Sequence, residues 1–177
     1  MDRHSDHAGF PCIFLGRPPE CPAGPGPDTG LVQVGFRNTH KGGLCWAWVS
    51  CQHRGFVRFD LTAIQGKQVL AAALRYDITA HSTNSPEAFP NSCALSLGTP
   101  KDASRTTGTP VDLVKGDLPD GKTNNLVPVT ELVRAWARGE RPNHGFAIDG
   151  QTDPPRNNDN HCLTDLGNFR LQLDVAR

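Results

Sequence analysis

The stretch NFRLQLDVAR (168–177) places Phe169, Leu171, Leu173 and Val175 at every second position, with Arg170, Gln172 and Asp174 between them. Side chains of an extended strand alternate between two faces, so this period buries one face and leaves the other to water. A helix cannot use the pattern, because its apolar stripe recurs every three or four residues.

The same period returns upstream. LVQVGF (31–36) alternates through Val32, Val34 and Phe36. FVRFDL (56–61) sets Val57, Phe59 and Leu61 against Arg58 and Asp60. In VLAAALRYDIT (69–79), Leu74, Tyr76 and Ile78 are expected inward, with Arg75 and Asp77 outward. CALSLG (93–98), VDLV (111–114), LVPV (126–129) and GFAIDG (145–150) are shorter runs of the same kind. With CWAWVSC (45–51) they predict about nine strands. The 18 glycines and 15 prolines supply the turns between them. Strands with one apolar face must bury it against another sheet, which predicts an all-β, antiparallel two-sheet sandwich.

One segment departs from this period. In VTELVRAWARGERPNHG, Leu132, Val133, Trp136 and Ala137 form one face of a short α-helix. Thr130 suits the N-cap, Gly139 the position just after the helix, and Pro142 stops continuation. Glu131 and Arg134 are spaced to pair on the exposed side. Trp136 is expected to be a packing residue that closes one end of the sandwich.

Residues 1–28 contain HSDH and PAGPGPD with little periodicity. They read as an irregular N-terminal arm, with the sandwich over 29–177. MDRHSDHAGFPCIFLG makes a poor signal peptide, because acidic residues stand where a basic region belongs and Pro11 breaks a short apolar run. A mature start or an unusual export route is the expectation. No apolar run approaches the ~20 residues that a membrane-spanning helix needs. Lys+Arg and Asp+Glu are 18 each. That balance argues against nucleic-acid binding through a broad basic surface, and against a polybasic membrane-surface protein.

Six cysteines stand at 12, 21, 45, 51, 93 and 162. Three states are open to Cys12, Cys21, Cys45, Cys51, Cys93 and Cys162: buried thiols, disulfides, or a zinc site. Cys12–Cys21 could staple the arm. A zinc site would draw on Cys51, His53, His161 and Cys162, although no CxxC pair supports it. Residues six apart in a straight strand are ~20 Å apart, whereas bridged Cα atoms lie within ~7 Å. Cys45 and Cys51 can therefore bridge each other only if the chain turns back between them.

The order of pieces from RGFVRFDLTAIQGKQVLAAALRYDI through VPVTELVRAWARGERPNHGFAIDG to NFRLQLDVAR resembles the DNRLRE domain, a β-sandwich family related to jelly-roll carbohydrate-binding modules. Arg54, Arg58, Phe59, Asp60 and Leu61 match its first element. Val69, Ala73, Leu74 and Arg75 match the second. Thr130, Leu132, Val133, Trp136, Gly139, Asn143 and Gly145 match the third, which is the most specific. The resemblance spans roughly residues 31–177. Residues 80–125 lack the family's second tryptophan-containing segment, and the cysteines stand outside its pattern. The resemblance implies a jelly-roll topology and a non-catalytic module of secreted or surface-displayed proteins, in some members binding polysaccharide.

Sugar rings pack their C–H faces on flat aromatic surfaces, with polar groups taking the hydroxyls. In a strand over 45–51, Trp46, Trp48 and Ser50 share one face and could form such a ledge. They could equally face the interior. A second candidate is DGQTDPPRNNDNHCLTD (149–165), where Asp149, Asp153, Asp159 and Asp165, with Asn157, Asn158 and Asn160, offer hard oxygen donors for calcium. Their spacing is not that of an EF-hand, and such loops are commonly just solvated. His4 and His7 suit an accidental metal-binding tail. No GxSxG, HExxH or phosphate loop is present, so a non-enzyme without a resident cofactor is expected.

Two functions follow as expectations. One is an extracellular binding or adhesion module for polysaccharide or a cell surface. The other is a structural subunit of a virion, phage tail or other extracellular assembly, docked to neighbouring subunits through residues 1–28.

Overall fold

The computed structural model describes residues 2–4, 30–41, 47–103, 111–150 and 160–176; for 2–4, 39–41 and 47–50 it describes the backbone alone. Nine strands and one helix follow in order. They are β1 (Asp2–His4), β2 (Val32–Lys41), β3 (Ala47–Val57), β4 (Val69–Thr83) and β5 (Ser96–Pro100). Then come β6 (Val111–Asp117), β7 (Asn125–Pro128), α1 (Thr130–Ala137), β8 (Phe146–Asp149) and β9 (His161–Val175). The fold is mostly β. Eight strands form one antiparallel sheet in the order β6-β5-β8-β3-β2-β9-β4-β7, curved into a half-barrel, and β1 pairs with β3 beside it.

β3 joins the two halves of that path. Residues Ala47 to His53 pair with β2 from Lys41 to Gly35, and Arg54 to Val57 then pair with β8 from Asp149 to Phe146. The two strands expected over 45–51 and 56–61 are thus one element that ends at Val57, and 58–61 leave the sheet. Gly55 explains the merger. It sits inside the strand, where an added Cβ would meet Val32 Cγ1 at 1.8 Å, so it serves close packing of backbone on side chain. Phe59 and Leu61 still reach the core, Leu61 buried and Phe59 half-buried.

β4 and β9 are 15 residues each and pair along their length. Leu74 and Tyr76 are fully buried and Ile78 half-buried, as the alternation requires. On β9 the buried parity changes partway. Cys162, Thr164 and Leu166 are buried, and then Phe169, Leu171, Leu173 and Val175 pack on the main core to which Leu166 belongs. The change falls where the pairing slips between Arg75↔Arg170 and Asp77↔Gly167, and Asn168 takes a left-handed φ of 54° there. An extra residue in one strand shifts every later side chain to the other face.

Helix α1 lies against β4. Leu132, Val133, Trp136 and Ala137 are its buried face, as expected, and the Trp136 ring meets Phe146 edge-on at 5.1 Å. Thr130 is not the N-cap; Val129 holds that position, and the Thr130 hydroxyl accepts the Ala72 N–H at 3.0 Å instead. A hydroxyl beside a strand can satisfy a ladder donor as well as a helix one. Gly139 follows the helix with φ 72°, and Arg134 pairs with Glu131 at 2.6 Å. Arg134 also donates to the carbonyls of Val69 and Leu70 at 2.7 and 2.8 Å, stitching the helix to the start of β4.

Candidate functional site

β3, which carries residues 47–51 of the tryptophan stretch, lies near the centre of the sheet. Trp48 and Ser50 belong to β3, with the Trp48 backbone opposite His40 and Ser50 opposite both Asn38 and His4. Trp46 lies outside the described residues. Of the carboxylates expected to hold calcium, Asp149 ends β8 and is ion-paired with Arg54, its register partner on β3. Asp165 sits within β9 and accepts from Gln33 Nε2 at 2.9 Å. The segment 161–165 is therefore strand where a loop was expected, because its alternation is carried by Cys162 and Thr164, which do not read as a hydrophobic run. Asp153 and Asp159 lie outside the described residues.

The structure assembles a different group. Cys93, just before β5, and Cys162 on β9 are disulfide-bonded, with Cα atoms 5.6 Å apart and a sequence separation of 69. Both are fully buried, in a small cluster with Phe36 and Phe89. The Phe36 and Phe89 rings meet edge-on at 6.1 Å. Gly35 allows the close approach, since an added Cβ there would lie 2.0 Å from the Cys162 carbonyl oxygen. Cys51 is also disulfide-bonded, and no described cysteine is free. Cys12, Cys21 and Cys45 lie outside the described residues. The four-residue zinc set expected from Cys51, His53, His161 and Cys162 is not formed, because both of its cysteines are oxidised.

His81, on β4 opposite Thr164, completes the cluster. Its Nε2 lies 3.0 Å from the Phe89 carbonyl, which can only accept, so Nε2 carries the proton. Its Nδ1 lies 3.1 Å from the Thr164 hydroxyl. Thr164 accepts the Cys93 N–H at 3.2 Å and stands 3.1 Å from Cys93 Sγ. Among the described residues, His81, Cys93 and Cys162 are the one group of three metal-ligating side chains, with ligand atoms all within 4.8 Å of one another. His81 and Thr164 went unread in the sequence because they meet only through a strand register across 83 residues.

A second polar group occupies the opposite face of the same strands. Arg37 on β2 is the register partner of both Cys51 and His161. Burial and then the Arg37 charge hold His53 and His161 below the ordinary histidine range, with Asp165 pulling His53 the other way. Both imidazoles are thereby favoured in the neutral form. His161 Nε2 is 3.0 Å from Ser82 Oγ.

No family model, curated protein or solved structure matches the chain.

Proposed function

We propose that the protein is a non-catalytic binding or adhesion module of jelly-roll kinship, acting outside the cell or on a particle surface. Its ligand on this reading is a polysaccharide or other surface glycan, gripped by Trp46, Trp48 and Ser50. The observation that carries the reading is how the residues of the DNRLRE resemblance work together. Asn143 donates to the Phe59 carbonyl at 2.9 Å and accepts the Gly145 N–H at 3.1 Å. Trp136 packs on Phe146, and Thr130 bonds Ala72. The matched positions thus tie the R-F-D-L segment, the second strand and the helix-and-turn to one another, as parts of one scaffold would. The Cys93–Cys162 disulfide favours an oxidising location.

The test is affinity electrophoresis of the full chain through a panel of neutral and anionic polysaccharides, beside a Trp46→Ala/Trp48→Ala variant. Retardation that the folded variant loses supports the ledge. No retardation on any polysaccharide removes the glycan reading.

A second reading, a structural subunit of an extracellular assembly, is favoured by β1. Asp2–His4 from the N-terminal segment adds to β3 as an antiparallel strand. Strand addition of this kind is a mode by which chains join one another. Deleting residues 1–28 should then abolish self-association while the sheet stays folded. Assembly that survives the deletion excludes docking through that segment.

A further inference from the structure

We propose that reduction of Cys93–Cys162 converts the cluster around it into a binding site for one zinc-type divalent cation, held by the two thiolates and His81 Nδ1. This inference is independent of any glycan ligand. It rests first on proximity: the two sulfurs and the imidazole nitrogen already lie within 4.8 Å of one another. In a tetrahedral site, metal–sulfur bonds of ~2.3 Å and metal–nitrogen bonds of ~2.0 Å set the ligand atoms roughly 3.5–3.8 Å apart. The sulfurs have only to part by rotation of their side chains, from Cα atoms 5.6 Å apart.

The second observation concerns the histidine. Metal-bound imidazoles characteristically donate their other N–H to a carboxylate or a backbone carbonyl, which fixes the tautomer and aims the ligand nitrogen. His81 is held in this way, with Nε2–H on the Phe89 carbonyl and the bare Nδ1 turned toward Thr164. Thr164, 3.1 Å from both Nδ1 and Cys93 Sγ, can then give its proton to the sulfur, a better acceptor as thiolate than as disulfide. Two thiolates and an imidazole select a borderline-soft ion such as zinc over calcium or magnesium, which require oxygen donors.

The chemistry balances with a dithiol as reductant. Two electrons pass to the disulfide, the Cys93–Cys162 bond breaks, the reductant closes its own S–S bond, and two cysteine thiols result. Cation binding then replaces the two thiol protons, which leave to solvent, and forms two metal–sulfur bonds and one metal–nitrogen bond. A sulfur pair cannot hold a metal and be bonded to itself. Oxidation therefore expels the ion, and the same cluster serves as a metal site under reducing conditions and as a covalent staple under oxidising ones.

Cobalt(II) is the probe, since its sulfur-to-metal charge-transfer absorption reports thiolate ligation. The full chain, reduced with a phosphine under anaerobic conditions, should take up one equivalent of cobalt, surrender it to zinc and release it on oxidation with diamide. Cys93→Ser/Cys162→Ser should show no such absorption. His81→Gln, whose oxidised fold and disulfide are verified first by circular dichroism and intact mass, should weaken cobalt binding by about tenfold or more. Three results would overturn the proposal. The reduced, folded wild type could show no charge-transfer absorption. The absorption could persist unchanged in the double variant or in His81→Gln. Reduction could unfold the chain without cobalt or zinc restoring its circular dichroism.

Discussion

Asn143 reaches 84 residues back along the chain to donate its side-chain amide to the Phe59 carbonyl at 2.9 Å, while its own carbonyl oxygen takes the Gly145 N–H. This one side chain closes the turn after α1 and anchors the segment leaving β3. Asn143→Ala removes both bonds and leaves a half-buried carbonyl without that donor. A loss of about 1–3 kcal/mol is expected, measured as a lower urea midpoint at unchanged slope. A value inside the scatter of surface substitutions would show that water replaces the amide without cost.

Cys93 and Cys162 span a sequence separation of 69. Loop-closure entropy assigns such a bridge about 4 kcal/mol. Cys93→Ala/Cys162→Ala should therefore lower the unfolding free energy in denaturant by about that amount under oxidising conditions. Peptide mapping of the non-reduced protein should recover the Cys93–Cys162 pair, and its absence would refute the connectivity.

Tyr76 is the single tyrosine of the chain, fully buried, with its hydroxyl donating to the Pro119 carbonyl. Burial, and then the Asp120 charge, push its ionisation far above the ordinary tyrosine value of 10.0. The folded state thus favours the neutral ring, and its contribution is present below pH 10 and lost as pH rises beyond the unfolded pKa. Tyrosinate absorbance should stay flat on raising the pH and then appear together with the loss of circular dichroism. Ionisation that precedes unfolding would place the hydroxyl in contact with solvent.

His53 and His161 move stability at the opposite end of the scale. Their pKa values lie below the ordinary 6.5 in the folded state, so the unfolded chain takes up protons first as pH falls. Their contribution to stability should be constant above about pH 7 and decline as pH falls through 6.5 toward the folded values. His53→Gln should flatten that decline in denaturation midpoints measured between pH 7.5 and 5. A slope unchanged by the substitution would assign the proton uptake elsewhere.

What the sequence made legible was local. The helix face of Leu132, Val133, Trp136 and Ala137, and the alternating run from Phe169 to Val175, were readable because each obeys the period of a single element. The number of strands matched only in total, since two expected strands merged into β3 and β1 arose in the segment expected to be irregular. Three features were hidden. Gly55 and the unbroken β3 depended on Val32, a residue far away in sequence that a Cβ would strike. Asp165 read as a loop carboxylate because the inward positions of early β9 are Cys162 and Thr164. The meeting of His81 with Thr164 and the disulfide depended on strand order, which periodicity does not contain.

That strand order has a consequence for how the chain is made. β9 lies between β2 and β4, the two long strands it pairs with, yet it follows every other described strand in the chain. Until the ribosome has released His161 to Val175, the finished β2 and β4 each present an unsatisfied row of amides and carbonyls, a template for the wrong neighbour. Translation that stalls before that point leaves two adhesive borders with nothing between them. The nascent protein is thus most vulnerable to tangling with its own kind just before its centrepiece emerges.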